Sequence, residues 1–130
     1  MIVLDASAAV AWLLQTSAGK EIENRIYSRR ESLHAPHLLD LEVGQVLRRL
    51  AREGMVSAPR TEQAIQDLVD LRVTRYPHFS LLPRIWQLRH NLTAYDAVYV
   101  VLAETIAAPL ITRDARVKSA SGHTARIELF

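Results

Sequence analysis

The amino-acid sequence predicts an α/β domain with a largely parallel central sheet, and three observations carry that prediction. Short apolar runs at Ile2–Leu4, Leu33–Pro36 and 109–112 are too brief for helices, and each leads into a segment of helical periodicity. Asp5 and Asp114 stand at the ends of two such runs, where open parallel sheets present their ligand sites. The 130 residues, 49% of them apolar, are ample for one core, and no internal repeat, low-complexity tract or linker divides them. Residues 1–130 therefore read as a single domain with right-handed crossovers.

The elements follow in order. Ile2-Val3-Leu4 is a buried strand that delivers Asp5-Ala6-Ser7 to its carboxyl end, and a short apolar helix runs over 7–14 with Ser7 placed to cap it. Residues 17–30 are amphipathic, with Ile22 and Ile26 four apart and charged neighbours turned outward, as in a solvated surface helix. Leu33–Pro36 is a second strand, closed by proline. The spacing of His34 and His37 is read as a turn rather than a metal site, since proline stands between them and no third ligand is evident. A helix over Leu38–Arg52 places Leu39, Val43, Val46, Leu47 and Leu50 at helical spacing, and Gly54 stops it. Ser57 or Pro59 opens the next helix, whose periodic face is Ile65, Leu68, Val69 and Arg72 and which Tyr76-Pro77 ends. Residues 81–90 form a further helical stretch with Pro83 in its first turn. Residues 93–107 leave almost no polar face, so that helix is covered on several sides. A strand at 109–112, a loop at Arg113-Asp114, a small helix over Ala115–Ser119 and a last strand at 125–129 complete the chain.

Composition narrows the chemistry. There are no cysteines, which removes disulfides, thiolate metal sites and cysteine nucleophiles and suits a reducing compartment. Any metal must bind oxygen or imidazole. The amino terminus lacks a basic region and meets Asp5 too early for a signal peptide, and no apolar run is long enough to span a bilayer, so a cytoplasmic protein is expected. A formal charge of +2 is compatible with a polyanionic partner without pointing to one.

Four acids command attention: Asp5, Glu42, Asp96 and Asp114. Each aspartate has a structural reading as a helix cap, and Thr93-Ala94-Tyr95-Asp96 has the form of a capping box. Glu42 is harder to account for, because it lies one turn after Leu38 and one turn before Val46, in or beside an apolar stripe. In a parallel sheet all four can reach one rim. Without neighbouring cations they would repel one another and raise some of their pKa values unless a cation sat between them, and hard oxygen ligands favour Mg²⁺ or Mn²⁺.

The sequence resembles a PIN domain. The resemblance rests on Asp5-x-Ser7 after the first strand, Glu42 in a leucine-rich helix, Thr93-x-Tyr95-Asp96-Ala97-x-Tyr99 opening a buried helix, and Leu110-Ile111-Thr112-x-Asp114 closing a strand. It covers essentially the whole chain, and the last two segments are most similar to the VapC-type toxins of prokaryotic toxin–antitoxin pairs. It implies a PIN-like α/β/α sandwich and a metal-dependent endoribonuclease held silent by a VapB-like antitoxin, with homodimerisation through helices. Asp5, Glu42, Asp96 and Asp114 match the family's catalytic acids, with Asp5, Asp96 and Asp114 as metal ligands and Ser7 and Thr112 as supporting hydroxyls. Many relatives carry a further acid after the last motif, where Ala115-Arg116-Val117-Lys118 stands here, which speaks against a tightly held second ion.

Arg113, Arg116 and Lys118 flank Asp114 and are the candidates for RNA phosphate contacts. Trp12 and Leu13, with Leu47 and Leu50, are candidates for a groove that accepts an antitoxin helix. Two other functions compete. A catalytically silent module of the same fold, binding nucleic acid or protein, would use the acids as caps. An aspartate-nucleophile phosphatase would want a second acid where Ser7 stands.

Overall fold

The computed structural model of the protein describes residues 1–130. Its elements are β1 (Ile2–Leu4), α1 (Ala6–Leu13), α2 (Ser17–Ser28), β2 (Leu33–Pro36), α3 (Leu38–Arg52), α4 (Ala58–Asp70), β3 (Val73–Tyr76), a 3₁₀ turn (Phe79–Leu81), α5 (Leu82–Gln87), α6 (Ala94–Thr105), β4 (Leu110–Thr112), α7 (Ala115–Ser119) and β5 (Ile127–Leu129). The strands form one five-stranded sheet in the order β3-β2-β1-β4-β5, and every neighbouring pair is parallel. The α/β class with a parallel sheet is thus as the sequence predicted.

That order decides where a site can lie. From β1 the chain moves to β2 and β3 on one side, then returns to build β4 and β5 on the other. The crevice beyond the carboxyl ends of β1 and β4, where the direction of winding reverses, is the place such sheets bind ligands. Helices flank the sheet in two groups. One joins α1 to α2, α3 and α4; the other sets α6 with α5 across β1, β2 and β4. Ile2, Val3, Leu4, Leu110 and Ile111 are fully buried, as strands covered on both faces must be. Residues 97–103 of α6 are buried without a break, as its composition required. No helix is long and apolar enough to cross a membrane.

Several elements differ from expectation, each for a local reason. The helix expected to run to Tyr76 ends at Asp70, and Val73–Tyr76 is an edge strand paired with β2. The β-branched Val73 and Thr74 and the aromatic Tyr76 suit a strand. Its half-exposed pattern hides the alternation that would have revealed it. The buried stripe of α4 is Thr61, Ala64 and Leu68, whereas Ile65 and Val69 face solvent. Asp5, not Ser7, is the N-cap of α1, its carboxylate accepting from the Ala8 amide. His34, by contrast, lies in β2 as the strand expected over Leu33–Pro36 required, and its ring bonds to Ser32 and to the Tyr76 hydroxyl. Trp12 and Leu13 are buried in the core, whereas Leu47, though buried, borders a cavity of about 210 Å³ between α3 and α4 with Ala51 and Ile65.

Gly19 deserves its place in α2 for a steric reason. A β-carbon there would stand 2.0 Å from the Ala11 carbonyl oxygen and 2.8 Å from the Trp12 nitrogen, so α2 touches the backbone of α1 directly. Gly54, at φ +67°, adopts the left-handed conformation that ends α3.

Candidate active site

Four separate elements bring acids to the sheet's carboxyl rim. Asp5 follows β1 and caps α1; Glu42 sits one turn into α3; Asp96 lies in the first turn of α6; Asp114 follows β4 and caps α7. All four line a single open cavity of about 320 Å³, together with Ala6, Ser7, Gln45, Val46 and Tyr99. No lysine or arginine lines it.

Asp5 is the most constrained of them. Only 8% of its surface is exposed. Oδ1 accepts from the Ser7 hydroxyl at 2.7 Å and the Ala8 amide at 2.9 Å, while Oδ2 accepts from the Thr112 hydroxyl. Burial raises its pKa above the ordinary aspartate value, those donors oppose the rise, and the charge of Asp96 adds to it. Ser7 and Thr112 also tie the two central strand ends together. The Ser7 oxygen accepts from the Arg113 amide at 2.9 Å, and the Thr112 oxygen from the Asp114 amide at 3.0 Å. The two hydroxyls therefore fix Asp5 and the β4–α7 turn in one frame.

Glu42 is half-buried, and burial raises its pKa; the Tyr99 hydroxyl, donating to Oε2 at 2.6 Å, opposes this, while Asp96 and Asp5 add to it. Tyr99 stands in the motif that opens α6, and the sequence alone gives it no role at the site. Its own pKa is driven up, first by burial and then by Glu42, so it stays a donor throughout the ordinary pH range. A buried phenol and a half-buried carboxylate each need a partner, which is the signal that pairs them. Asp114 differs from the rest. Arg116 holds its carboxyl below the ordinary range through a contact of 2.7 Å, and it is the one acid of the four in an ion pair.

Of the cations flanking Asp114, Arg116 is thus engaged with that acid, and Lys118 donates its ammonium to the Ile127 carbonyl of β5. Arg113 is exposed and its side chain makes no hydrogen bond or ion pair. The donor set at the cavity is all oxygen, with two carboxylates whose charge is disfavoured by burial. Such a set suits a hard divalent cation. No three of the acids converge closely enough to enclose an ion by themselves.

Comparison with known proteins gives a consistent result. The PIN domain family matches residues 2–122. Ribonuclease VapC9 of Mycobacterium tuberculosis is 46% identical over 116 residues, which cover 89% of this chain and 87% of that protein. Ribonuclease VapC12 of the same organism is 40% identical over 129 residues, 99% of this chain and 98% of its own. Among solved structures, VapBC2 from Rickettsia felis, bound to a DNA fragment from its promoter, superposes with a TM-score of 0.70 at 12% identity, covering 99% of this chain and 98% of the matched one.

Proposed function

Because this chain belongs to the PIN domain family, we propose that it is an endoribonuclease, the toxin of a type II toxin–antitoxin pair, that hydrolyses RNA with the help of Mg²⁺ or Mn²⁺. The observation that carries the reading is the meeting of Asp5, Glu42, Asp96 and Asp114 in one cavity free of basic side chains. Asp5 and Asp96 would hold the ion, with Asp114 as a further ligand or through a water, and the ion would supply a water of lowered pKa and offset charge on the phosphate. Ser7 and Thr112 aim the Asp5 carboxylate. Glu42, steadied by Tyr99, is placed to take a proton from water or to hold that water through a hydrogen bond. The Ser7 hydroxyl donates to Asp5 while its oxygen accepts from the Arg113 amide, which gives it a positioning role.

Attack by external water leaves a 5′-phosphate and a 3′-hydroxyl. The test is RNA cleavage with Mg²⁺ or Mn²⁺, its loss in EDTA and its return with excess metal. Products ending in a 2′,3′-cyclic phosphate, or undiminished cutting in EDTA, would overturn the reading.

Tyr99→Phe isolates the positioning of Glu42. Without the phenol the Glu42 carboxylate loses the hydrogen bond that favours its charged form, so its pKa climbs further. The acidic limb of the pH–rate profile should move to higher pH, with cleavage below neutrality down by about tenfold or more, as loss of a hydrogen bond to a charge implies. An unmoved profile would leave Tyr99 as packing alone.

A VapB-like antitoxin is the partner that the relatives suggest. Of the residues expected to line its groove, Trp12 and Leu13 are buried, while Leu47 borders an open cavity between α3 and α4 with Ala51 and Ile65. Homodimerisation has exposed apolar side chains in its support, Leu41, Phe79, Leu82, Trp86 and Tyr95, of which Leu82 and Tyr95 line one cavity. A monomeric mass by light scattering at micromolar concentration would remove the dimer.

A further inference from the structure

The exposed face of α3 carries a second feature that the acids do not explain. Gln45 lines the acidic cavity, and it also lines a separate cavity of about 340 Å³ whose other walls are Arg48, Arg49, Arg52 and Glu53. Glu42, Gln45, Arg49 and Arg52 are spaced three, four and three residues apart, which places them on one side of the helix, with Arg48 beside them. The run from Glu42 to Arg52 is about 15 Å long at helical rise, the length of a few nucleotides. The two cavities are therefore neighbours that share a wall.

The three guanidiniums are also unengaged. Arg25, Arg75, Arg84 and Arg116 each form an ion pair with a carboxylate, and Arg60 donates to the Leu13 carbonyl. Arg48, Arg49 and Arg52 are bound to no acid at all, although Glu53 lies at the far end of their cavity. Arg49 and Arg52 stand in the last turn of α3, where positive charge complements the helix dipole. That role does not extend to Arg48, nor does it require a concave surface continuous with the acids.

We propose that this face of α3 binds the phosphate backbone of the RNA strand as it leaves the catalytic cavity, with Gln45 at the junction and Arg48, Arg49 and Arg52 on successive phosphates. The proposal rests on the ribonuclease reading. Its chemistry is the guanidinium fork on phosphate oxygens, which positions a strand without reading its sequence. The acidic cavity repels an RNA backbone wherever no metal stands. A basic track next to it holds the flanking strand in place.

The test exchanges all three arginines for glutamine, which keeps helix propensity on an exposed face. Affinity for a labelled single-stranded RNA long enough to cover both cavities is measured in EDTA over a range of salt, where no cutting occurs. Each single-strand phosphate contact contributes about 0.7 to the slope of log affinity against log salt, so the triple variant should be shallower by about 2 and bind about tenfold or more weakly. The triple lysine variant, with charge kept, should retain the wild-type slope. Equal slopes and affinities for wild type and glutamine variant, with the wild type still cutting RNA in Mg²⁺, would overturn the track and leave the nuclease reading intact. A wild type that shows the steep slope yet cuts no RNA would support the surface and remove the nuclease reading. Loss of self-association in the glutamine variant with RNA affinity unchanged would assign the face to a protein contact and overturn the proposal.

Discussion

Asp5→Asn is expected to lower RNA cleavage by roughly 10³-fold or more, the scale on which loss of one charge-stabilising group acts in an enclosed site. Asparagine fits the same space and accepts from the Ala8 amide through its carbonyl, so the cap and the fold should survive. What is lost is the buried charge. The folded-state pKa of Asp5 lies above its unfolded value, so its contribution to stability is complete below the ordinary carboxylate range and disappears as pH rises through the raised value. Without metal, the wild type should therefore lose stability relative to Asp5→Asn as pH climbs from about 4 toward neutrality. Glu31, Glu104 and Asp114 have lowered values and act in the opposite sense in both proteins, so the difference between them reports Asp5 together with the relief its loss gives Glu42. Thermal melts in EDTA and cleavage assays in Mg²⁺ make the comparison. No cleavage by either protein, with Asp5→Asn less stable by about 1 kcal/mol, would instead favour the silent binding module in which Asp5 is only a cap.

Gly19→Ala should destabilise the protein by about 3 kcal/mol or more, at or beyond the upper end of what overpacking a tight contact costs. The sign is opposite to the usual one. Alanine is favoured over glycine inside a helix by about 1 kcal/mol. Here the added methyl meets the Ala11 carbonyl, which already accepts from the Thr16 amide at 3.1 Å and cannot swing away freely. Relief requires α2 to part from α1, whose amino end carries Asp5. Urea unfolding should show the midpoint falling, and cleavage should fall with it. A variant as stable as the wild type would mean that the two helices are not in backbone contact.

The sequence made Asp5, Asp96 and Asp114 legible because each stands at a boundary between apolar strand or helix and turn, and such boundaries are local. Glu42 was legible from its aliphatic neighbours. Its bond to Tyr99 was not, since the partners lie 57 residues apart and no local pattern joins them. The edge strand β3 was missed because half-exposed strands lack a distinctive period. Hydrophobicity alone does not distinguish an apolar surface from a core, so it sets Trp12, Leu13 and Leu47 in a groove; the packing of α1 against α2 and α3 buries them. Charge alone puts Arg116 among the phosphate candidates, whereas its side chain turns back on Asp114 two residues earlier.

The first strand lies at the middle of the sheet, and the hydroxyl that completes the Asp5 cradle comes from Thr112, 107 residues further along. During translation the earliest segment must wait beside β2 until β4 has emerged from the ribosome. Parallel pairing across such separations is late and cooperative. The consequence for a cell making this protein is that prematurely terminated chains carry Asp5 and Glu42 without a finished pocket, and the capacity to damage RNA arises only when nearly the whole polypeptide has been made.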